Sequence, residues 1–129
     1  MSWAAALLAL LASHLVGDFL VQTEWQAVNK PGGLIDARSR RALMAHVIAY
    51  SAAFVPALVW IGFRTTPWRA VAVGAVVAIP HLVVDDGHLV RFWLRRVKRA
   101  PNPSTALAVS VDQTFHVVCL VGAAALAAF

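Results

Sequence analysis

Four apolar stretches, each near the length that spans a hydrocarbon core, limit what this chain can fold into more than any other feature. They run over about residues 2–22, 42–63, 67–90 and 104–129, and a helix needs about 20 such residues to cross lipid. A soluble helical bundle would require a polar face on each stretch. Outside a handful of His and Asp positions there is almost none. Apolar residues make up 60% of the chain and charged residues 13%, against about half and about a quarter in a soluble domain. The sequence therefore predicts an all-α fold, an integral membrane bundle of four transmembrane helices forming a single transmembrane domain over residues 1–129.

The run Ala4–Ala12 has the length of a signal-peptide core. It lacks a basic flank and continues through His14 and Asp18, so it is expected to stay as the first span. The single Cys119 rules out an internal disulfide. Thr66-Pro67 and Asn102-Pro103 each place a capping residue ahead of a first-turn proline. Pro56 and Pro80 fall inside the second and third spans, where each removes a backbone hydrogen bond.

The net charge of +5 is explained by its distribution and not by a nucleic-acid surface. Nine of the eleven Lys and Arg residues lie in two segments: Lys30, Arg38, Arg40 and Arg41 in loop 23–41, and five cations from Arg91 to Arg99 in loop 91–103. Only Arg64 and Arg69 lie between the second and third spans. The positive-inside rule then places loops 23–41 and 91–103 in the cytoplasm and both termini outside. The expected location is a bacterial inner membrane, with membrane lipid as the surrounding partner. The Ala-rich end of the fourth span, Gly122–Ala128, could pack closely on a second copy, so a homo-oligomer is also expected.

Ionisable groups inside the spans are costly, and they mark function by default. Here they come as three pairs spaced four residues apart, His14/Asp18, His81/Asp85 and Asp112/His116, with His46 in the remaining span. Residues four apart share a helix face. The order reverses in the last pair, as it must if antiparallel helices are to bring aspartates to one level and histidines to another. At about 1.5 Å per residue, His14 lies roughly 12 Å from its cytoplasmic end and Asp18 one turn shallower. All seven candidates fall in the cytoplasmic half. His14-Leu15-Val16-Gly17-Asp18 is also echoed by His81-Leu82-Val83-Val84-Asp85, and His46-Val47-Ile48 by His116-Val117-Val118. Two repeated helix pairs are therefore expected.

Four imidazoles and three carboxylates suit one or two divalent metals. Nitrogen and oxygen ligation favours zinc, with iron, manganese or nickel as alternatives, and no thiolate is available to make a sulfur-rich site. The candidate ligands are His14, Asp18, His46, His81, Asp85, Asp112 and His116. Some aspartates would orient ligating histidines rather than bind metal. Among these, His46, Asp18 and Asp112 are the candidates for acid–base work. Gln22, Tyr50 and Gln113 could hold substrate or orient a ligand. Asp86 and His88 sit beside Gly87 at a helix end and are expected to be solvated. Loop 23–41, with Pro31-Gly32-Gly33, is the one segment able to act as a lid.

Taken in order, His14-x3-Asp18-Phe19-x2-Gln22, Lys30, His46-x3-Tyr50, His81-x3-Asp85 and Asp112-Gln113-x2-His116 resemble the small bacterial membrane proteins grouped as domain of unknown function 3307. The resemblance covers nearly the whole chain. It implies a polytopic membrane protein without an assigned activity. One departure is visible, since the family often carries a lysine shortly after the third motif, where this chain has His88.

The residues themselves support two functional classes. One is a metal-dependent hydrolase of a lipid or amphiphile at the inner leaflet, in which zinc would acidify a water and polarise the bond to be cut. The other is non-enzymatic: a metal-ion or proton-coupled carrier using the same cluster, or a structural membrane subunit. The outer half of the spans is nearly pure Ala, Val and Leu, which disfavours a path through a single copy.

Overall fold

The computed structural model describes residues 1–129 and contains helices and connecting turns but no strand. Helix α1 (Trp3–Leu15) continues directly into a π-helical segment, Val16–Val21. Next come α2 (Glu24–Asn29), a 3-10 turn (Lys30–Gly32), α3 (Ala37–Ala53), α4 (Val55–Arg64), α5 (Pro67–Asp85), α6 (His88–Arg96) and α7 (Thr105–Ala128). Three helices are long and apolar enough to cross a membrane: Trp3–Val21, Pro67–Asp85 and Thr105–Ala128. A fourth crossing exists if α3 and α4 count as one span bent by 43°. That bend has an identifiable cause. Pro56 has no N–H to offer and its ring crowds the carbonyl one turn earlier, so the chain leaves α geometry at Phe54. Pro80, in contrast, is carried inside an unbroken α5.

Helix boundaries follow their caps. Thr66 accepts from the Arg69 amide at 3.2 Å, and Pro67 occupies the first turn. The fourth span is capped by Ser104, whose hydroxyl accepts from Leu107 N at 3.2 Å, and not by Asn102. The second span starts at Ala37 instead of 42, because the Asp36 carboxylate accepts from the Arg38 and Ser39 amides. The Ser39 hydroxyl and those two amides hold the Asp36 carboxyl below its ordinary range. The third span ends at Asp85, five residues before the expected position. Gly87 adopts a left-handed φ of 80° and its amide closes back on the Val84 carbonyl, a helix stop. The segment expected to be loop 91–103 therefore begins with a helix of its own. α6 buries Val90 and Leu94 and turns Phe92, Arg95 and Arg96 outward.

The three long apolar helices and the bent α3–α4 pair close into a ring. α1 packs on α7, α7 on α5, α5 on α4, and the π segment of α1 on α3. An apolar core at one end joins Ala6, Leu10, Phe54, Ile61, Val73, Val77 and Leu120 with Ala123, Ala124 and Ala127. These three alanines are fully buried within the chain's own bundle. The stripe expected to serve a second copy therefore brings α7 close to its own neighbours. A smaller cluster at the other end holds Val84, Val90, Leu94 and Val111. The polar residues lie between the two. The halves are not copies of each other: Asp18 sits in a π segment and Asp85 in an α-helix, and the second span is bent where α7 is unbroken.

Replacing Gly87 by Ala should lower unfolding stability in detergent by about 1–2 kcal/mol, the usual cost of the left-handed region for a residue with a Cβ. That Cβ would also meet Arg91 Nη1 at 2.7 Å. Gly122→Ala, where the added atom meets nothing within 4 Å, should be neutral. Equal effects in thermal unfolding would contradict this reading of the helix stop.

Candidate metal centre

The sequence spacing becomes a site because four separate elements turn their polar residues to one axis. α1 and its π extension supply His14 and Asp18, α3 supplies His46 and Tyr50, α5 supplies His81 and Asp85, and α7 supplies Asp112, Gln113 and His116. The π segment inserts wider turns just after Leu15, and such distortions recur at functional sites. Within it, Gly17 lies against the Tyr50 ring, where a Cβ would come to 2.6 Å from Cδ2. Glycine thus lets α1 approach α3 closely enough for Asp18 to reach His46.

Three donor atoms form the centre, and a carboxylate oxygen of Asp18 stands beside them. His46 Nε2 lies 3.0 Å from His81 Nε2 and 2.9 Å from Asp85 Oδ2. His81 Nε2 is 3.2 Å from the same oxygen. Asp18 Oδ1 is 3.3 Å from His46 Nε2 and 3.9 Å from His81 Nε2. Bonds of about 2.0–2.1 Å to tetrahedral zinc place neighbouring ligand atoms about 3.3–3.4 Å apart, close to the 2.9–3.2 Å separations within the His46, His81 and Asp85 set. The four side chains are buried. Asp18 Oδ1 has no hydrogen-bond partner although it points into the group. Two imidazole nitrogens at 3.0 Å can share one proton at most. A cation among the His46, His81 and Asp85 atoms, which all lie within 4.8 Å of one another, would satisfy all three, so the residues present fit a divalent metal.

The remaining predicted residues divide. His14 is beside the centre but not in it: Nδ1 is 3.0 Å from the Tyr50 hydroxyl and Nε2 is 2.9 Å from Gln113 Oε1. Both ring nitrogens are thereby engaged by neighbouring side chains. Gln113 Nε2 in turn donates to Asp18 Oδ2 and Asp112 Oδ2, each at 3.2 Å. Tyr50 lies flat on the His81 ring at a centroid distance of 3.4 Å. It closes the site on the side of the main apolar core. Asp112 is at the rim with part of its carboxylate exposed. His88 pairs with Asp86 at 2.7 Å away from the cluster, and its side chain is 54% exposed.

Lys30 is the residue that helical spacing misses. Its Nζ lies 2.7 Å from Asp85 Oδ2, and the Gln22 amide, oriented to suit both neighbours, accepts from Nζ at 2.7 Å while donating to the Asp18 carbonyl. In the sequence Lys30 is one of several loop cations. Only its place in the string of motifs set it apart. The turn that delivers it is latched by Arg91 Nη1, which donates to the Pro31 carbonyl at 2.7 Å.

A cavity of about 450 Å³ leads to the centre between the π segment, the Lys30 turn, α6 and α7. Asp18, Asp85, Asp112, Gln22, Gln113 and Lys30 line it together with apolar Phe19, Val84, Val90, Leu94 and Val109. The four histidines are not on its wall, so the carboxylates face the opening and the imidazoles lie behind them.

The family described as protein of unknown function (DUF3307) matches residues 6–128. The chain belongs to this family. No curated protein and no solved structure matches it. The matched segment contains the centre, the residues around it from His14 to His116, and the Lys30 turn as well.

In protein stripped with a chelator, Lys30→Met should cost about 3–5 kcal/mol of stability, because Asp85 would keep a buried charge without its cation. Added zinc should recover much of that loss in the same variant. A Lys30→Met protein as stable as the parent by chemical denaturation would show that the Asp85 pair carries no such weight.

Proposed function

We propose that this chain is a four-span membrane protein of a bacterial inner membrane and that its buried cluster is a divalent metal centre serving hydrolysis of a lipid or amphiphile. The observation that carries the reading is the close triad of His46, His81 and Asp85 atoms, with Asp18 beside it, at the head of a cavity lined partly by apolar residues. Insertion is supported by large apolar side chains turned outward around the bundle, among them Leu8, Leu20, Ile48, Phe63, Val71, Ile79 and Val118. A soluble monomer rarely exposes that much contiguous apolar surface. The cation distribution orients the bundle with the Lys30 turn and α6 at the cytoplasmic leaflet. There the exposed Phe92 and the basic residues of α6 suit an anionic interface.

His46, His81 and Asp85 would hold the metal, two imidazoles and one carboxylate that leave a fourth position open, as catalytic zinc sites do. The metal supplies a Lewis acid that acidifies water and polarises a carbonyl or phosphoryl oxygen. Asp18, unpartnered at Oδ1 and on the cavity wall, is the group placed to take a proton from water. Gln113 holds its other oxygen, and His14 holds Gln113. Lys30 and Arg91 flank the opening and would favour an anionic headgroup, while Phe19, Val90 and Leu94 accept an acyl chain. A carrier would need a route to the opposite face, where the apolar core beneath Tyr50 closes the bundle. This favours the enzyme over the carrier.

Detergent-purified protein should contain at least one tightly held divalent ion per chain, read by elemental analysis. His46→Ala and His81→Ala should lose it while keeping their helicity. Asp18→Asn should retain the metal yet hydrolyse responsive ester or phosphoester amphiphiles about 10²–10⁴-fold more slowly. Protein that neither carries nor takes up metal would end the proposal. Metal without turnover across such a panel would return the carrier reading. A reporter enzyme fused after Phe129 should be active only outside the cytoplasm.

A further inference from the structure

We propose a second divalent-ion site, built on the other oxygen of Asp85, so that this carboxylate bridges two metals. The inference rests on the metal reading above but on different atoms. His116 Nδ1 lies 3.0 Å from the backbone carbonyl of Asp112. A carbonyl can only accept, so Nδ1 carries the proton and a neutral His116 presents a lone pair at Nε2. Asp85 Oδ1 lies 3.4 Å from that nitrogen. Two acceptors thus face each other across a gap, both belonging to buried side chains and neither with a hydrogen-bond partner. Lys30 does not relieve them, because its ammonium sits on Oδ2.

A further carboxylate stands beside them, Asp112, whose Oδ2 comes within 3.7 Å of the same imidazole at Nδ1. Asp85, Asp112 and His116 each offer one atom, and these atoms lie within 4.8 Å of one another. Asp112 also lines the cavity, so an ion here would be reached by water and substrate directly. The ion among His46, His81 and Asp85 Oδ2 lies further in. Hydrolytic centres of this kind hold two ions about 3.5–4 Å apart, one stabilising the attacking and one the leaving oxygen. The arrangement gives Asp112 a task that the first site leaves it without, and it explains why α7 reverses the order of its pair. His116 must lie deep enough to meet Asp85, with Asp112 one turn nearer the opening.

The test uses the full chain in detergent, stripped with a chelator and reloaded with Mn²⁺ alone. Elemental analysis should find two ions per chain, and low-temperature electron paramagnetic resonance should show an exchange-coupled pair in place of the isolated-ion pattern. Asp112→Asn, an isosteric change at a partly exposed side chain, should reduce the count to one and restore the isolated-ion spectrum. One ion per chain in the parent, unchanged by Asp112→Asn, would overturn the second site and leave the first standing. It would mean that a proton on His116 fills the gap. No bound Mn²⁺ or Zn²⁺ at all would overturn both. The parent's own count and spectrum decide the matter even if the variant fails to fold.

Discussion

One buried carboxylate organises this molecule. Asp85 has no exposed side-chain surface, yet Lys30, His46, His81 and His116 all approach its two oxygens. Those residues come from the 3-10 turn, α3, α5 and α7. A charge in that position is tolerable only if it is compensated. The compensation therefore fixes where three spans and a loop stand relative to one another. Remove it, and the polar belt has no reason to form between two apolar cores that could otherwise pack in several registers.

The same constraint explains the fold's irregular features. The π segment after Leu15, the contact between Gly17 and Tyr50, and the stop at Gly87 are each poor choices for a plain helical bundle. Each is needed to aim something at the belt. The first two bring Asp18 to His46. The third ends α5 right after Asp85 and lets α6 fold back, so that Arg91 can latch the turn carrying Lys30. The apolar end of the bundle below Tyr50 is built from small and branched residues with only the bend at Phe54 to disturb it. Irregularity is concentrated where the chemistry is, as expected when local geometry is subordinated to a site.

Much of this was legible in the residues, and what was missed has a common cause. Helical periodicity names residues that share a face, so His81 with Asp85 and His46 with Tyr50 could be read directly. Periodicity says nothing about which atom of a side chain does what. His14 looks like the other histidines in the sequence, but Tyr50 and Gln113 engage both of its nitrogens. Lys30 lies in a turn with no period at all, and it reaches Asp85 across a sequence separation of 55. The expected end of the third span at Val90 failed for a related reason. The residues Leu89 and Val90 are apolar, but one left-handed glycine outweighs them, and their apolar character is used by α6 instead.

The sequence by itself determined that the chain is all helical, that several of its helices are long and apolar enough to cross a membrane, and that seven ionisable residues sit within them at helical spacing. These follow from composition and periodicity, which act locally. Only the tertiary structure decided which of those residues meet. It put Asp85 at the middle of the group and set His14 between Tyr50 and Gln113, it brought in Lys30, and it left Asp18 Oδ1 and His116 Nε2 buried without a hydrogen-bond partner. Such outcomes depend on how far apart atoms on different helices lie, to within an ångström. Packing sets those distances, and no pattern along a single helix encodes them.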